Sequence, residues 1–194
     1  MAKAIWHVNQ SLNMKHILPL FKVAAKYSLT GSLLAIILIL VLFYTNKHPL
    51  LIPIVYDYRI LLFGVFIYFS IREFKTYHNN GELHFWQGLI TGIFFYLILG
   101  LLVGSFIGVF SAVESSFLEE FIQANVKGLE MNKSEFTTES PVALSDEEFE
   151  RQLELTKVTR PITLGIDYFI KSCIIGFFLS VVLAVILRKT ESRT

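Results

Sequence analysis

Residues 83–113, LHFWQGLITGIFFYLILGLLVGSFIGVFSAV, form a run of 31 residues without a single Asp, Glu, Lys or Arg. A helix needs roughly 20 apolar residues to cross the hydrocarbon core of a bilayer. The run exceeds that length and predicts a transmembrane helix. The chain of 194 residues is 54% hydrophobic and has a mean hydropathy of +0.57, more apolar than a soluble domain of this size requires.

Other segments have the same character. Residues 27–46 carry no charge, and residues 172–187 carry none until the Arg188-Lys189 pair. A further apolar segment begins beside Asp57 and Arg59. The predicted fold is therefore all-α, an integral membrane protein with four transmembrane helices. They are expected near 27–46, 55–74, 84–112 and 163–187.

The distribution of Lys and Arg predicts the orientation. The first 26 residues contain four lysines and no acid, Arg72 and Lys75 follow the second span, and Arg188 and Lys189 follow the fourth. An excess of Lys and Arg marks the cytoplasmic side. We expect a multi-pass protein of a bacterial inner membrane, with both termini in the cytoplasm.

The connection between the third and fourth spans, residues 113–162, has eleven acids against five bases. We predict an external, acidic helical hairpin. Its first helix continues from the third span to about Met131, and its second opens at Ser145 with Glu148 in a capping box. Phe149 and Leu153 would face the first helix. The hairpin is interpreted either as a solvated connector or as a docking surface.

Four regions result from this division. They are a cytoplasmic basic segment 1–26, the first three spans 27–112, the periplasmic hairpin 113–162, and the fourth span with its cytoplasmic tail 163–194. The N-terminal segment is amphipathic and is expected to break at Pro19. Either it lies in the headgroup region with Trp6 inserted, or it is a frayed lead into the first span.

The polar stretch 74–88 is predicted to be a cytoplasmic turn, because Asn79-Asn80-Gly81 tolerates positive φ. His78, Glu82 and His84 have side chains that suit zinc, but no fourth ligand is close in sequence. We favour an interfacial turn over a metal site. We expect no metal, no cofactor and no catalytic residue, because the chain has none of the common phosphate-loop, zinc-protease or hydrolase motifs.

Small residues recur every four positions in the third and fourth spans. Such faces let helices approach closely in lipid. The expected antiparallel register pairs Gly108 with Ser172, Gly104 with Gly176, and Gly100 with Ser180. Alternatively, one of these faces contacts another protein or a second copy of the chain.

Asp57, Arg59, Asp167 and Lys171 are predicted to form a charge cluster at the outer interface. Asp167 and Lys171 are spaced i, i+4 and can meet on one helical face. An ionisable residue in a membrane is a candidate for a proton or ion relay. Because Lys171 is expected only one turn inside the hydrocarbon, within snorkelling reach, an interfacial anchor is the favoured interpretation.

The stretch YHNNGELHFWQGLITGIFF, residues 77–95, resembles a family of Bacteroidota inner-membrane proteins catalogued as domain of unknown function 4199. The closing segment LSVVLAVILRKT, residues 179–190, and the acidic loop are similar to that family too. The resemblance implies a four-helix envelope protein without an assigned activity. It also implies a neighbouring gene for a family-two polyprenol-phosphate glycosyltransferase, a candidate partner.

We therefore expect a non-enzymatic accessory subunit, surrounded by lipid, that stabilises or positions a membrane partner such as that glycosyltransferase or belongs to a larger envelope complex. Nucleic acid is not an expected partner, because the net charge is only +1. A homo-oligomer is compatible with the sequence. The alternative is a small oligomeric transporter or channel that uses Asp167 and Lys171.

Overall fold

The computed structural model describes residues 2–53, 56–139 and 144–189, with the backbone alone for residues 2–16, 138 and 139. This part of the chain is helical, apart from turns and one isolated bridge between Leu83 and Lys189. The helices are α1 (Ala2–Tyr44), α2 (Tyr58–Glu73), α3 (Phe85–Val113), α4 (Ser115–Met131), α5 (Asp146–Lys157) and α6 (Pro161–Leu187). A π-helical turn, Phe74–His78, extends α2.

Within the described residues, three helices are long and apolar enough to cross a membrane: Ile17–Tyr44 within α1, Phe85–Val113 and Pro161–Leu187. These confirm the membrane-helix character predicted from the sequence. The 16 residues of α2 are fewer than a typical span, although its exposed side carries Leu61, Val65 and Phe69 at helical spacing.

The prediction that α1 breaks at Pro19 is wrong. The helix runs through Pro19 without interruption, so residues 2–26 belong to α1. Leu20, Val23 and Ala24, just after the proline, are buried, and this packing favours continuation over a break. The expected insertion of Trp6 concerns a side chain outside the described residues.

The chain divides into two compact units. One comprises residues 1–36, 57–103 and 168–194, and the other comprises residues 37–56 and 104–167. In the first unit, Lys26 and Tyr27 of α1 contact Glu73, whereas Gly31 lies beside Phe66. Residue numbers thus rise along α1 as they fall along α2, and the two helices are antiparallel.

The same reasoning gives the directions of α3 and α6. Phe21 packs edge to face on Phe94 with ring centroids 5.4 Å apart, and Gly31 lies beside Leu99, so α3 is parallel to α1. Gly88 faces Ala184 and Gly100 faces Ser172, so α6 is antiparallel to α3. In this unit α1, α2, α3 and α6 therefore alternate in direction.

The small-residue faces of α3 and α6 do meet, but the predicted register is wrong by two helical turns. Gly100, not Gly108, lies beside Ser172, and Gly92, not Gly100, faces Ser180. Gly176 lies against the ring of Tyr96 so closely that a Cβ would overlap it. In the second unit, Gly104 faces Gly165, and Gly108 faces Pro161 and Ile162.

The physical reason is that small residues in this seam face large side chains as well as small ones. Gly176 instead provides the space in which the large ring of Tyr96 packs, and Gly100 provides space for Phe169. Alternating large and small side chains fill such a seam without voids. Two backbone hydrogen bonds between Leu83 and Lys189, of 2.8 and 3.0 Å, fix the same register at the end of α6.

Candidate functional site

The acidic segment after α3 contains two packed helices, α4 and α5, which we call the acidic helix pair. The third span does not simply continue as α4, because Val113 is followed by Glu114 in an extended conformation before α4 begins. Phe117, Phe149 and Leu153 are buried; Phe149 and Leu153 are the two residues of α5 that were predicted to face α4. The pair is thus a folded element with its own apolar contacts.

The start of α5 confirms the predicted capping box. The Ser145 hydroxyl accepts a hydrogen bond of 3.2 Å from the Glu148 amide, and the Ser145 amide donates one of 2.9 Å to the Glu148 carboxylate. The Ser145 hydroxyl also donates to the Glu148 carboxylate, at 2.7 Å, and the bonds from the Ser145 amide and hydroxyl lower the pKa of Glu148 below its usual value. The cap therefore persists in mildly acidic solution, because the carboxylate form that accepts the bonds is favoured.

Lys133 joins the turn after α4 to α5. Its ammonium lies 3.3 Å from Asp146 and 3.4 Å from Glu150, and 5.1 Å from the centre of the Phe149 ring. Its hydrogen bond to Asp146 is the main cause that raises the pKa of Lys133. Exposed ion pairs add little stability singly, so their main effect here is to orient α5.

The outer surface of the acidic helix pair keeps most of its negative charge. Glu119, Glu120 and Glu130 of α4 are exposed, as are Glu147 and Glu154 of α5. Among these, Glu154 pairs with Lys157 at 2.8 Å. The surface can therefore attract a basic partner.

The acidic helix pair is attached to the end of α1 by His48. His48 lies in the turn between α1 and α2 and is only 9% exposed. Its Nε2 atom is 2.9 Å from the Phe117 carbonyl oxygen. The imidazole is 4.4 Å from the Phe117 ring and 5.9 Å from the Phe121 ring, between centroids, and Phe43 of α1 packs on Phe117 as well.

Two of the four residues of the predicted charge cluster, Asp57 and Arg59, form a close pair. Asp57 caps α2 by accepting the Arg59 amide, and its carboxylate accepts two hydrogen bonds of 2.7 Å from Nε and Nη2 of Arg59. The Arg59 side chain is 4% exposed. Asp167 is half-buried and Lys171 is exposed, both on α6.

The turn at 74–88 has the backbone that its sequence predicts, with positive φ of 52° at Asn80 and 82° at Gly81. The Asn79 amide donates to the Gln87 side chain at 3.1 Å, and Lys75 donates to the Leu187 carbonyl at 2.9 Å. Tyr77 and Trp86 are exposed. Across the described residues, no group of three His, Cys, Asp or Glu is placed to hold a metal ion.

Two residues of interest were missed by the sequence argument. Gly165 lies outside the four-residue repeat of α6, although it makes the closest backbone approach to α3 in its unit. His48 lies in a polar turn, TNKHP, that gives no hint of burial. The available signal was the set of aromatic residues Phe110, Phe117 and Phe121. Three such side chains so close in sequence present more apolar surface than one helix can bury by itself, so a further buried neighbour was to be expected.

A family described as "Protein of unknown function (DUF4199)" matches residues 21–189. That range includes every residue discussed above for the acidic helix pair, the α3–α6 seam and the Asp57–Arg59 pair. Comparisons with curated proteins and with solved structures gave no match.

Proposed function

The chain belongs to the DUF4199 family, and we propose that it is a non-enzymatic inner-membrane subunit that binds and positions another membrane protein. The acidic helix pair is the docking surface of this proposal. The observation that carries it is that α4 and α5 are packed and capped while Glu119, Glu130 and Glu147 remain exposed. A connector without a partner has no need of such order.

The proposed topology has four spans. The alternating directions of α1, α2, α3 and α6 support it, because α2 must return towards the start of α1 before α3 begins. From Tyr58 to His78, α2 and its π-helical turn have 21 residues, enough for roughly 30 Å of hydrocarbon. The excess of Lys and Arg then orients both termini to the cytoplasm and the acidic helix pair to the outside.

The partner is proposed from charge and from the family resemblance. A surface rich in carboxylates favours a partner whose outer face is basic. The resemblance to the DUF4199 family suggests a family-two polyprenol-phosphate glycosyltransferase, alone or within a larger envelope complex. Such an enzyme works at the membrane, where a bound helical subunit can fix its position.

The transporter alternative has less support. The guanidinium of Arg59 makes two charged hydrogen bonds to the Asp57 carboxylate, and breaking such a pair inside a protein costs several kcal/mol. A relay needs groups that exchange partners readily, and this pair does not offer that. Purified protein in liposomes is therefore expected to give no flux that depends on Asp167 or Lys171.

We expect partner capture to depend on the exposed acids. Tagged protein would be purified from native membranes, and the bound glycosyltransferase quantified. The triple variant Glu119→Gln, Glu130→Gln, Glu147→Gln should retain about tenfold less partner, because a loss of about 1.4 kcal/mol over three rim charges gives that factor. Raising the salt concentration should weaken wild-type capture, since salt screens exposed charges.

The matched control is Lys127→Gln, an exposed change on α4 that makes the surface more acidic. It should keep full capture. Equal retention of the partner by the triple variant and by the wild type would contradict the assignment of the docking surface. If the control variant lost as much partner as the triple variant, the cause would be a folding defect and not the loss of negative charge.

A further inference from the structure

The buried imidazole of His48 is the least expected polar group in the second unit. It is 9% exposed in a turn whose neighbours Asn46 and Lys47 are exposed. A carbonyl oxygen can only accept a hydrogen bond, so the contact with the Phe117 carbonyl requires Nε2 to carry a proton. In the neutral imidazole, Nδ1 is then the bare nitrogen.

That second nitrogen is buried against aromatic rings. Within the described part of the chain, Nδ1 has no hydrogen-bond partner. Protonation of the ring would put a proton and a positive charge on this atom. A buried polar group without a partner is costly, and a charge is costlier still. Rearrangement that exposes the ring to water would remove the cost.

Charged groups near the imidazole do not cancel this cost. Glu120 on α4 raises the pKa of His48, and so does the bond to Phe117, but burial lowers it more, and the net direction is downward from 6.5. On the same helix, Glu119 is exposed, and Glu114 before it is bonded to Ser116 at 2.6 Å. On the α1 side, Tyr44 and Lys47 are exposed.

We propose that His48 is a pH-sensitive latch, formed with Phe43, Phe117 and Phe121, that holds the acidic helix pair against the end of α1 and loosens when the imidazole is protonated. The inference deepens the proposed function, because it adds regulation to the docking surface, and it rests on that function for its purpose. Under the proposed topology the latch senses the pH outside the membrane.

The direction of the pH effect follows from the lowered pKa. Above about 6.5 the imidazole is neutral in both the packed and the loosened protein, and the latch keeps its full stability. As the pH falls from 6.5 through the lowered pKa, the loosened form takes up a proton more readily than the packed form. In this range the equilibrium between the packed and loosened forms therefore shifts towards the loosened form. The shift is at most about tenfold for each unit by which the pKa of His48 in the packed form lies below its pKa in the loosened form.

The test is hydrogen exchange of the full chain in detergent at pH 7.5 and pH 5.0, with exposure times scaled for the intrinsic exchange rate. In the wild type, amides of residues 115–122 should lose protection by about tenfold at pH 5.0. Residues 146–157 should not, because the Glu148 cap survives at that pH. In His48→Gln, the loss should disappear, since Gln can donate to the Phe117 carbonyl but cannot be protonated.

The control is His78→Gln, an exposed histidine, which should keep the wild-type response. Equal protection of the wild type at both pH values would overturn the proposal, and so would a wild-type response in His48→Gln. If that variant does not fold, titration of the wild-type imidazole by NMR decides: a pKa at or above 6.5 contradicts the latch. The exchange experiment contains no partner protein, so it tests the latch alone, and the docking proposal is tested separately by partner capture.

Discussion

Replacing Gly165 by alanine should destabilise the protein by about 3 kcal/mol, at the upper end of the range for overpacked sites. A Cβ at this position would overlap the carbonyl oxygen of Gly104 and lie 3.3 Å from the amide nitrogen of Gly108. Both obstacles are backbone atoms of a regular helix, so they cannot rotate away. The substitution must push α6 from α3 and open the seam on which close packing in lipid depends.

The measurement is reversible unfolding of the two proteins in mixed micelles at increasing SDS fraction. Gly64→Ala on α2 is the matched control, because among the described residues no atom from outside its own helical turn lies within 4 Å of the added Cβ and alanine is the better helix former. It should be neutral or slightly stabilising. A Gly165→Ala protein as stable as this control would show that α3 and α6 do not approach at Gly104.

Replacing Arg59 by methionine should cost about 3 kcal/mol, the scale measured when one partner of a buried ion pair is removed. The Arg59 side chain is 4% exposed and that of Asp57 is 16% exposed. The remaining carboxylate of Asp57 would keep its role as cap of α2 but lose both charged hydrogen bonds. An uncompensated charge beside apolar helices is the costly product.

The second variant in this series combines Arg59→Met with Asp57→Asn. Asparagine is also a good helix cap and carries no charge, so the double variant should regain most of the lost stability. The same SDS unfolding assay gives both values. A double variant no more stable than Arg59→Met would indicate that lost packing of the arginine stem, and not the stranded charge, causes the effect.

Local chemistry was predictable from the sequence because it depends on residues close in the chain. The capping box of Ser145 and Glu148 and the positive φ at Asn80 and Gly81 each involve residues only a few positions apart. Each is a short-range hydrogen bond or a steric preference. Such features form independently of how the helices pack against one another.

Long-range register was not predictable in the same way. The repeats of glycine and serine in α3 and α6 identify faces that can meet, but several offsets match small residues equally well. The choice depends on where Tyr96 and Phe169 fit, and on the tie between Leu83 and Lys189. His48 was missed for a related reason, because its burial comes from α4, about 70 residues further along the chain.

Helix boundaries at Pro19 and Glu114 show the competition between local and tertiary effects. Proline usually ends a helix, yet α1 continues because the residues after it are buried. Between Val113 and Ser115 no glycine or proline intervenes, yet the helix breaks. The break lets Phe117 pack against His48 and Phe43, contacts that a continuous helix would not make.

The most direct test of the account asks whether α2 crosses the membrane. Single cysteines at Lys47, Tyr77 and Glu147, all exposed positions, would be introduced in a Cys173→Ser background and treated with an impermeant maleimide on intact spheroplasts. Four spans with the acidic helix pair outside predict labelling at 47 and 147, and at 77 only after permeabilisation. If α2 does not cross, 77 will be labelled and 147 protected, which would contradict the four-span topology and the external docking surface together.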